Sequence, residues 1–369
     1  QAISIHQNRA YIDKSKCIEC GMCKKVCPYG AIIEVSRPCE RACPLDAITA
    51  GADRKAKIDT QKCVQCGACR SACPFGAIDE RSSIVQLIQT IKSGQQVYAL
   101  LAPSFIGQLG FKVTPEQIVA AIKKMGFAGV EEVAVGADMA ALHEAEEFME
   151  KVPAQQSFIT SSCCSSFVSL IKQHLPEHID KISTTVSPMV ACGRYVKTKY
   201  PDAVTVFIGP CIAKKGEARQ FADAIDYVLT FEELFCMLEG AGIDPAAVTP
   251  EEYATKASGF GISFPLHKGV QGAVAHALQE AGRPEPAMHY ASGLEHCLED
   301  LQKVIDGKIK CELFEGMACD RGCIDGPGGL TEPGLVTVLL KKYAAEAQQK
   351  KLHDDNEAVE AVKKVDMKV

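Results

Sequence analysis

A chain of 369 residues, 47% of them hydrophobic, is long enough to bury a sizeable core in two or three units. Its net charge of -6 argues against nucleic acid as a partner, and a membrane span is not expected, since the run from Val97 to Phe111 is broken by Pro103, Ser104, Gly107 and Gly110. Nineteen cysteines without a signal-peptide pattern fall mostly in tight ligand spacings, which excludes a secreted disulfide scaffold and predicts a soluble protein of a reducing cytoplasm.

Residues 1–82 carry two copies of one pattern, Cys17-x2-Cys20-x2-Cys23-x3-Cys27-Pro28 and Cys63-x2-Cys66-x2-Cys69-x3-Cys73-Pro74. Two-residue gaps let one loop wrap three corners of a 4Fe-4S cube while the fourth thiolate arrives from elsewhere, so the repeat predicts two accessory clusters in an α+β ferredoxin-like domain. In such repeats the fourth cysteine serves the other cluster, which groups Cys17, Cys20 and Cys23 with Cys73, and Cys63, Cys66 and Cys69 with Cys27. Each copy continues as Cys-Pro-x-Gly-Ala-Ile, where a short helix is expected. An insert adds Cys39-x3-Cys43-Pro44, and Cys43 is the alternative to Cys27. Residues 1–83 hold 13 Lys or Arg against 9 Asp or Glu, a surplus that offsets the negative charge of cluster thiolates.

A larger α/β unit is expected over 83–345. Strands are predicted at Val97–Leu101, Val130–Val135, Ser157–Thr160 and Val204–Ile208, alternating with helices at Pro115–Met125, Met139–Lys151 and Phe231–Glu239, a pattern that calls for mostly parallel sheets. Residues 346–369 read as a charged, Ala-rich tail forming a solvated helix or a frayed end. Three further cysteine segments stand where strands give way to loops: Thr160-Ser-Ser-Cys163-Cys164, Gly209-Pro-Cys211-Ile-Ala-Lys214-Lys215 and Gly316-Met317-Ala-Cys319-x3-Cys323. Ligands at the carboxyl ends of parallel strands converge in one crevice, and four thiolates there could hold one more 4Fe-4S cluster. Cys192, Cys236, Cys297 and Cys311 fit structural roles better.

These three segments resemble, in order, the signatures of FeFe hydrogenases, and the likeness covers nearly the whole chain. The resemblance implies reversible conversion of protons and electrons to hydrogen at an H-cluster enclosed by the α/β domain. Cys164, Cys211, Cys319 and Cys323 would hold its 4Fe-4S half, with Cys323 bridging to a two-iron subsite that carries carbon monoxide, cyanide and azadithiolate. Cys163 matches the family's proton donor, which must lie within hydrogen-bonding reach of the atom it serves. The segment containing Glu144 and Glu147, three apart on one helical face, resembles the family's relay helix, and ungapped alignment from Cys164 puts Ser183 on the relay serine. Lys214 and the Pro103-Ser104 segment match cyanide contacts, and Met317 the methionine beside the bridging carbonyl.

Departures include Ser165-Ser166-Phe167 in place of Pro-Gly-Trp, Gly209 in place of methionine, and Asp320-Arg321 in a small-residue loop, which mark a divergent subgroup. The partners implied are a ferredoxin or similar redox protein, drawn to Lys24, Lys25, Lys55 and Lys57, and maturation proteins for the two-iron subsite. Two rival readings are a hydrogen sensor with low turnover and a non-catalytic relative among the cytosolic iron-sulfur assembly proteins. In the latter, Cys163, Lys214, Met317 and the glutamate pair would have no evident purpose.

Overall fold

In the computed structural model, all residues are described except 1, 8, 14, 19, 34–36, 52, 54, 252, 254, 255, 348–350 and 354–356. The N-terminal region contains two antiparallel hairpins, β1 (Ile3–His6) with β2 (Arg9–Ile12) and β3 (Ile48–Ala50) with β4 (Ala56–Ile58). Short helices at Met22–Val26, Pro38–Arg41 and Ala68–Ser71 accompany them. Gly21 and Gly67, at φ of 68° and 82°, precede the first and third of these helices. Only glycine takes that conformation without strain, and each cysteine triad thereby winds from a loop into a single helical turn.

The helix expected after each fourth cysteine is absent. Cys27-Pro28 and Cys73-Pro74 instead enter tight turns, closed by N–H bonds from Gly30 to the Cys27 carbonyl and from Gly76 to the Cys73 carbonyl, both 3.4 Å. Proline fixes the first turn residue and glycine supplies the left-handed one, so the chain reverses direction there.

Strands β5 (Val97–Leu101), β6 (Gly129–Glu132), β7 (Ile159–Thr160), β8 (Val204–Ile208), β9 (Tyr227–Leu229), β10 (Met288–Ser292) and β11 (Leu313–Met317) follow. They form two sheets, ordered β6-β5-β8-β9 and β10-β11-β7, in which every pairing is parallel. The central strands β5 (VYALL) and β8 (VTVFI) are almost wholly buried, as β-branched and apolar runs covered on both faces must be. Because β5 lies between β6 and β8, the chain leaves its carboxyl end toward opposite sides, which opens a crevice at that edge.

The helix Val133–Lys151 is the middle of the core, with 13 of its 19 residues buried. Its small residues allow close approach. A Cβ on Gly136 would lie 2.2 Å from the Pro188 carbonyl oxygen of the crossing helix Pro188–Lys199. This burial explains one difference from the expected pattern. The run Val130–Val135 reads as a strand, yet β6 ends at Glu132 and helix begins at Val133, because an all-round apolar helix carries no periodicity to distinguish it from a buried strand.

The tail also differs from the solvated end expected. Leu352, Ala358, Ala361, Val365 and Met367 are buried, and the helix Glu357–Val362 packs on Val133–Lys151. Beyond it, Lys368 bridges antiparallel to Thr185, the Val186 N–H donates to the Met367 carbonyl at 2.8 Å, and the Val369 N–H to the Thr184 carbonyl at 2.9 Å. The apolar residues spaced at 358, 361 and 365 make one helical stripe that the charged composition masks. Among the described residues no helix is long and apolar enough to cross a membrane.

Candidate metal centre

The carboxyl ends of both parallel sheets empty into one cavity. Strand β5 delivers Pro103 and Ser104, β8 delivers Cys211 and Lys214, β7 delivers Cys163 and Cys164, and β11 delivers Met317, Cys319 and Cys323, all of which line it. Five thiols from three loops therefore share one space. Burial pushes the Cys211 thiol up to about 11, opposed by Lys214 and reinforced by Cys164. Burial and then Cys211, Cys323 and Cys164 raise Cys319, and burial followed by Cys164 and Cys211 raises Cys323. Such a set is stabilised as thiolates by a bound cation or cluster, which inverts the local acidity.

Other atoms fit the same group. The Ser104 hydroxyl oxygen is buried without a hydrogen-bond partner, as an unfilled donor site for a ligand requires. The Ala318 N–H donates to Cys164 Sγ at 3.5 Å, and Cys323 Sγ lies 3.8 Å from Met317 Sδ. Lys214 Nζ donates to the Cys163 carbonyl at 3.0 Å and pairs with Glu217 Oε2 at 2.5 Å. Burial works against the Lys214 charge, but Glu217 and Cys211 more than offset it and hold its pKa above the ordinary lysine value.

A second cavity is lined by Cys43, Cys63, Cys66 and Cys69. Cys27, the expected fourth member, is not among its lining residues; Cys43 takes that position. Burial first, then Cys69, Cys43 and Cys63, push Cys66 up to about 11. The insert that sequence reasoning treated as the lesser alternative thus supplies the cysteine that faces this triad. Cys66 lines both cavities, and its loop is pressed onto the larger domain: a Cβ on Gly67 would lie 2.5 Å from Pro327 and 2.9 Å from Ile212. Arg70 holds the same contact, bonding to Asp79 at 3.0 Å, to the Pro327 carbonyl at 2.8 Å and to Glu232.

From Cys163 a line of exchangeable groups leads outward. Cys163 is raised well above the ordinary thiol value by burial and then by Glu144, so it stays protonated. Burial pushes the Glu144 carboxyl up to about 7, against hydrogen bonds from Ser162. Its Oε1 accepts from the Ser162 N–H at 3.1 Å and hydroxyl at 3.3 Å, while Oε2 has no partner. Ser183 Oγ donates to Glu147 Oε2 at 2.5 Å. Burial would raise Glu147, but Lys151 at 2.6 Å, Ser183 and Thr184 hold it below the ordinary carboxylate value. Two adjacent carboxyls with separated acidities are suited to passing a proton in steps.

Sequence reasoning missed Ser162, Thr184, Thr185, Lys151 and Glu217. Lys151 at i+4 from Glu147, and Glu217 at i+3 from Lys214, were available from helical spacing. Thr184 and Thr185 were not, because they reach Glu147 from another loop. Several departures also have local reasons. A side chain on Gly209 would meet Phe207 at 2.6 Å, and one on Gly316 would meet the Phe167 ring at 2.4 Å, so small residues here are matched to those rings. Ser165 Oγ donates to Glu217 Oε2 at 2.7 Å.

Residues 95–327 match the family model described as iron only hydrogenase large subunit, C-terminal domain. The chain belongs to that family. Residues 33–84 of this hydrogenase-family chain match the LdpA Fe-S cluster-binding domain, and residues 10–33 a 4Fe-4S binding domain. The chain is 30% identical to the periplasmic [Fe] hydrogenase large subunit of Nitratidesulfovibrio vulgaris, over 89% of this chain and 88% of that one. It is 26% identical to cytosolic iron-sulfur assembly component 3 of Bos taurus, over 68% and 64%. The fold is similar to that of FeFe-hydrogenase HydA1 from Chlamydomonas reinhardtii, with a TM-score of 0.61 at 17% identity, over 77% of this chain and 94% of that one. The hydrogenase-family chain is thus an iron-sulfur protein built of helices around parallel sheets.

Proposed function

We propose that this chain is a hydrogenase that interconverts protons, electrons and hydrogen, with residues 83–345 as the catalytic domain and residues 1–82 as the electron inlet. The observation that carries the reading is the single cavity where Cys164, Cys211, Cys319 and Cys323 meet Cys163, with Glu144 behind it. When bound there, an H-cluster supplies the metal at which hydrogen is made or split. Cys164, Cys211, Cys319 and Cys323 would hold it, with Ser104 and Lys214 donating to diatomic ligands and Pro103 and Met317 packing beside them.

The chain's own work is proton handling and exclusion of water. Cys163 keeps its proton because it is buried beside a carboxyl. Glu144, poised near neutrality, gives a proton to it or takes one, and Ser183 and Glu147 carry the exchange toward Thr184. The last residues, paired with Thr184–Val186, cover this outlet. The divergent segment at Ser165 adds a hydroxyl to the Glu217–Lys214 pair, tightening the lysine that faces the cavity.

Infrared spectroscopy of protein loaded with the two-iron subsite tests the proposal. Bands of bound carbonyl and cyanide together with hydrogen evolution are expected. A full complement of 4Fe-4S clusters that neither retains such a subsite nor turns over hydrogen would favour the assembly-protein reading. Retention of the bands with only trace turnover would favour a sensor.

Two further results follow for electron entry. Cys43→Ser is expected to remove the electron paramagnetic resonance signal of the cluster on Cys63, Cys66 and Cys69, whereas Cys27→Ser should spare it. Lys24, Lys25, Lys55 and Lys57 are all exposed, so reduction by an acidic ferredoxin should slow several-fold between low salt and ~0.15 M, where charges are screened beyond about 8 Å. A rate indifferent to salt would exclude this docking face.

A further inference from the structure

The three Cys-Pro segments are copies of one loop. Asp46 N–H closes on the Cys43 carbonyl at 3.4 Å, the same spacing as the turns at Gly30 and Gly76, and Asp46, Gly30 and Gly76 all take positive φ, at 48°, 56° and 59°. In each copy the alanine four residues on aims its N–H at the sulfur: Ala47 to Cys43 at 3.4 Å, Ala77 to Cys73 at 3.3 Å, and Ala31 to Cys27. The loop is therefore a preformed thiolate donor for a cluster held elsewhere. One copy lies against its recipient. Cys43 faces Cys63, Cys66 and Cys69, and Leu45, two residues after it, is buried. At the equivalent place Tyr29 is 90% exposed and Phe75 86% exposed.

Cys39-x3-Cys43 repeats the spacing of Cys69-x3-Cys73, and the helices Pro38–Arg41 and Ala68–Ser71 pack together, so residues 37–82 form a pseudo-twofold unit closed on itself. By that symmetry the place opposite Cys73 belongs to the Cys39 helix, a half-motif with one cysteine where each triad has three. Residues 2–33 are then half of such a unit, with a hairpin, a triad and a donor loop. None of their described residues is buried, and Ile5, Ile18, Val26 and Ile33 are 70–85% exposed. A triad without a donor and a donor without a triad, in one segment, are self-complementary under twofold symmetry.

We infer that residues 2–33 of two chains pair into a bridging ferredoxin unit, in which Cys27 of each chain supplies the fourth thiolate to Cys17, Cys20 and Cys23 of the other. The inference rests on the first motif holding a 4Fe-4S cluster, not on hydrogen chemistry. Two copies use every ligand, cover both apolar faces and join two electron inlets at one axis.

The test is anaerobic reconstitution of the full chain with iron, sulfide and a thiol reductant, followed by native mass spectrometry and iron analysis. A dimer with about twelve irons per chain is expected before any two-iron subsite is added. Cys27→Ser should give a monomer with about eight irons per chain, while Cys73→Ser leaves dimer and iron unchanged. Mixing Cys27→Ser with the triple variant Cys17→Ser, Cys20→Ser, Cys23→Ser should restore a heterodimer with one bridging cluster. A monomer holding about twelve irons, or loss of the first cluster in Cys73→Ser but not in Cys27→Ser, would overturn the inference in favour of pairing within one chain. The signal from the cluster on Cys63, Cys66 and Cys69 serves as the folding control in every variant.

Discussion

Cys163→Ala is expected to lower hydrogen evolution by about 10²- to 10⁴-fold, the range for loss of a general acid, while the clusters and the infrared bands of the two-iron subsite persist. The thiol lines the cavity, and Glu144 is the charged group that acts on it most after burial. Cys163→Asp should recover part of the rate at a shifted pH optimum, since a carboxyl also carries a proton. Glu144→Gln should act at the same step, because an amide cannot gain and lose the proton. The Glu144 carboxyl also leaves a thermodynamic signature. Its folded pKa of about 7 lies above the ordinary 4.5, so its contribution to stability is present at low pH and lost as pH rises from about 4.5 to about 7. Denaturation of the cluster-free protein should accordingly show Glu144→Gln gaining on the parent across that window, by up to about 1.4 kcal/mol per pH unit, and levelling above it. Near-parental evolution by a fully loaded Cys163→Ala protein would move the proton route elsewhere, and the Ser165–Glu217 pair would be the next place to look.

Lys214→Met carries the largest expected cost in stability. Lys214 and Glu217 have side chains only 10% exposed and are 2.5 Å apart. Removing the lysine strands a carboxylate that keeps only the Ser165 hydroxyl, and breaking such a pair typically costs about 3–5 kcal/mol. Urea unfolding of cluster-free protein should show this loss. The double variant Lys214→Met, Glu217→Met should recover most of it, since replacing both charges leaves nothing unpaired. A single variant as stable as the parent would mean that water reaches Glu217 freely.

What could be read from the sequence was what short-range spacing encodes. The cysteine triads, the loops after β5, β7, β8 and β11, and the Glu144–Glu147 pair follow from patterns a few residues long, and Val97–Leu101 and Val204–Ile208 are strands as expected. What escaped depends on chain segments meeting from afar. Cys43 was ranked below Cys27 because motif spacing is silent on which half packs against which. The helix Val133–Lys151 lost its first three residues to a strand assignment because burial on all sides erases the period. The tail was taken for a solvated end because its charges outnumber the few apolar positions that meet Val133–Lys151.

Cys66 stands in the wall between the two cavities. Groups separated by one side chain in a medium from which water is excluded feel each other's charge strongly. An electron stored on either side of that wall makes the next one harder to add on the other. With a cluster bound on each side, the two reductions should therefore not titrate as independent one-electron curves; like two acids sharing a site, they should split into a pair of midpoints that belongs to both.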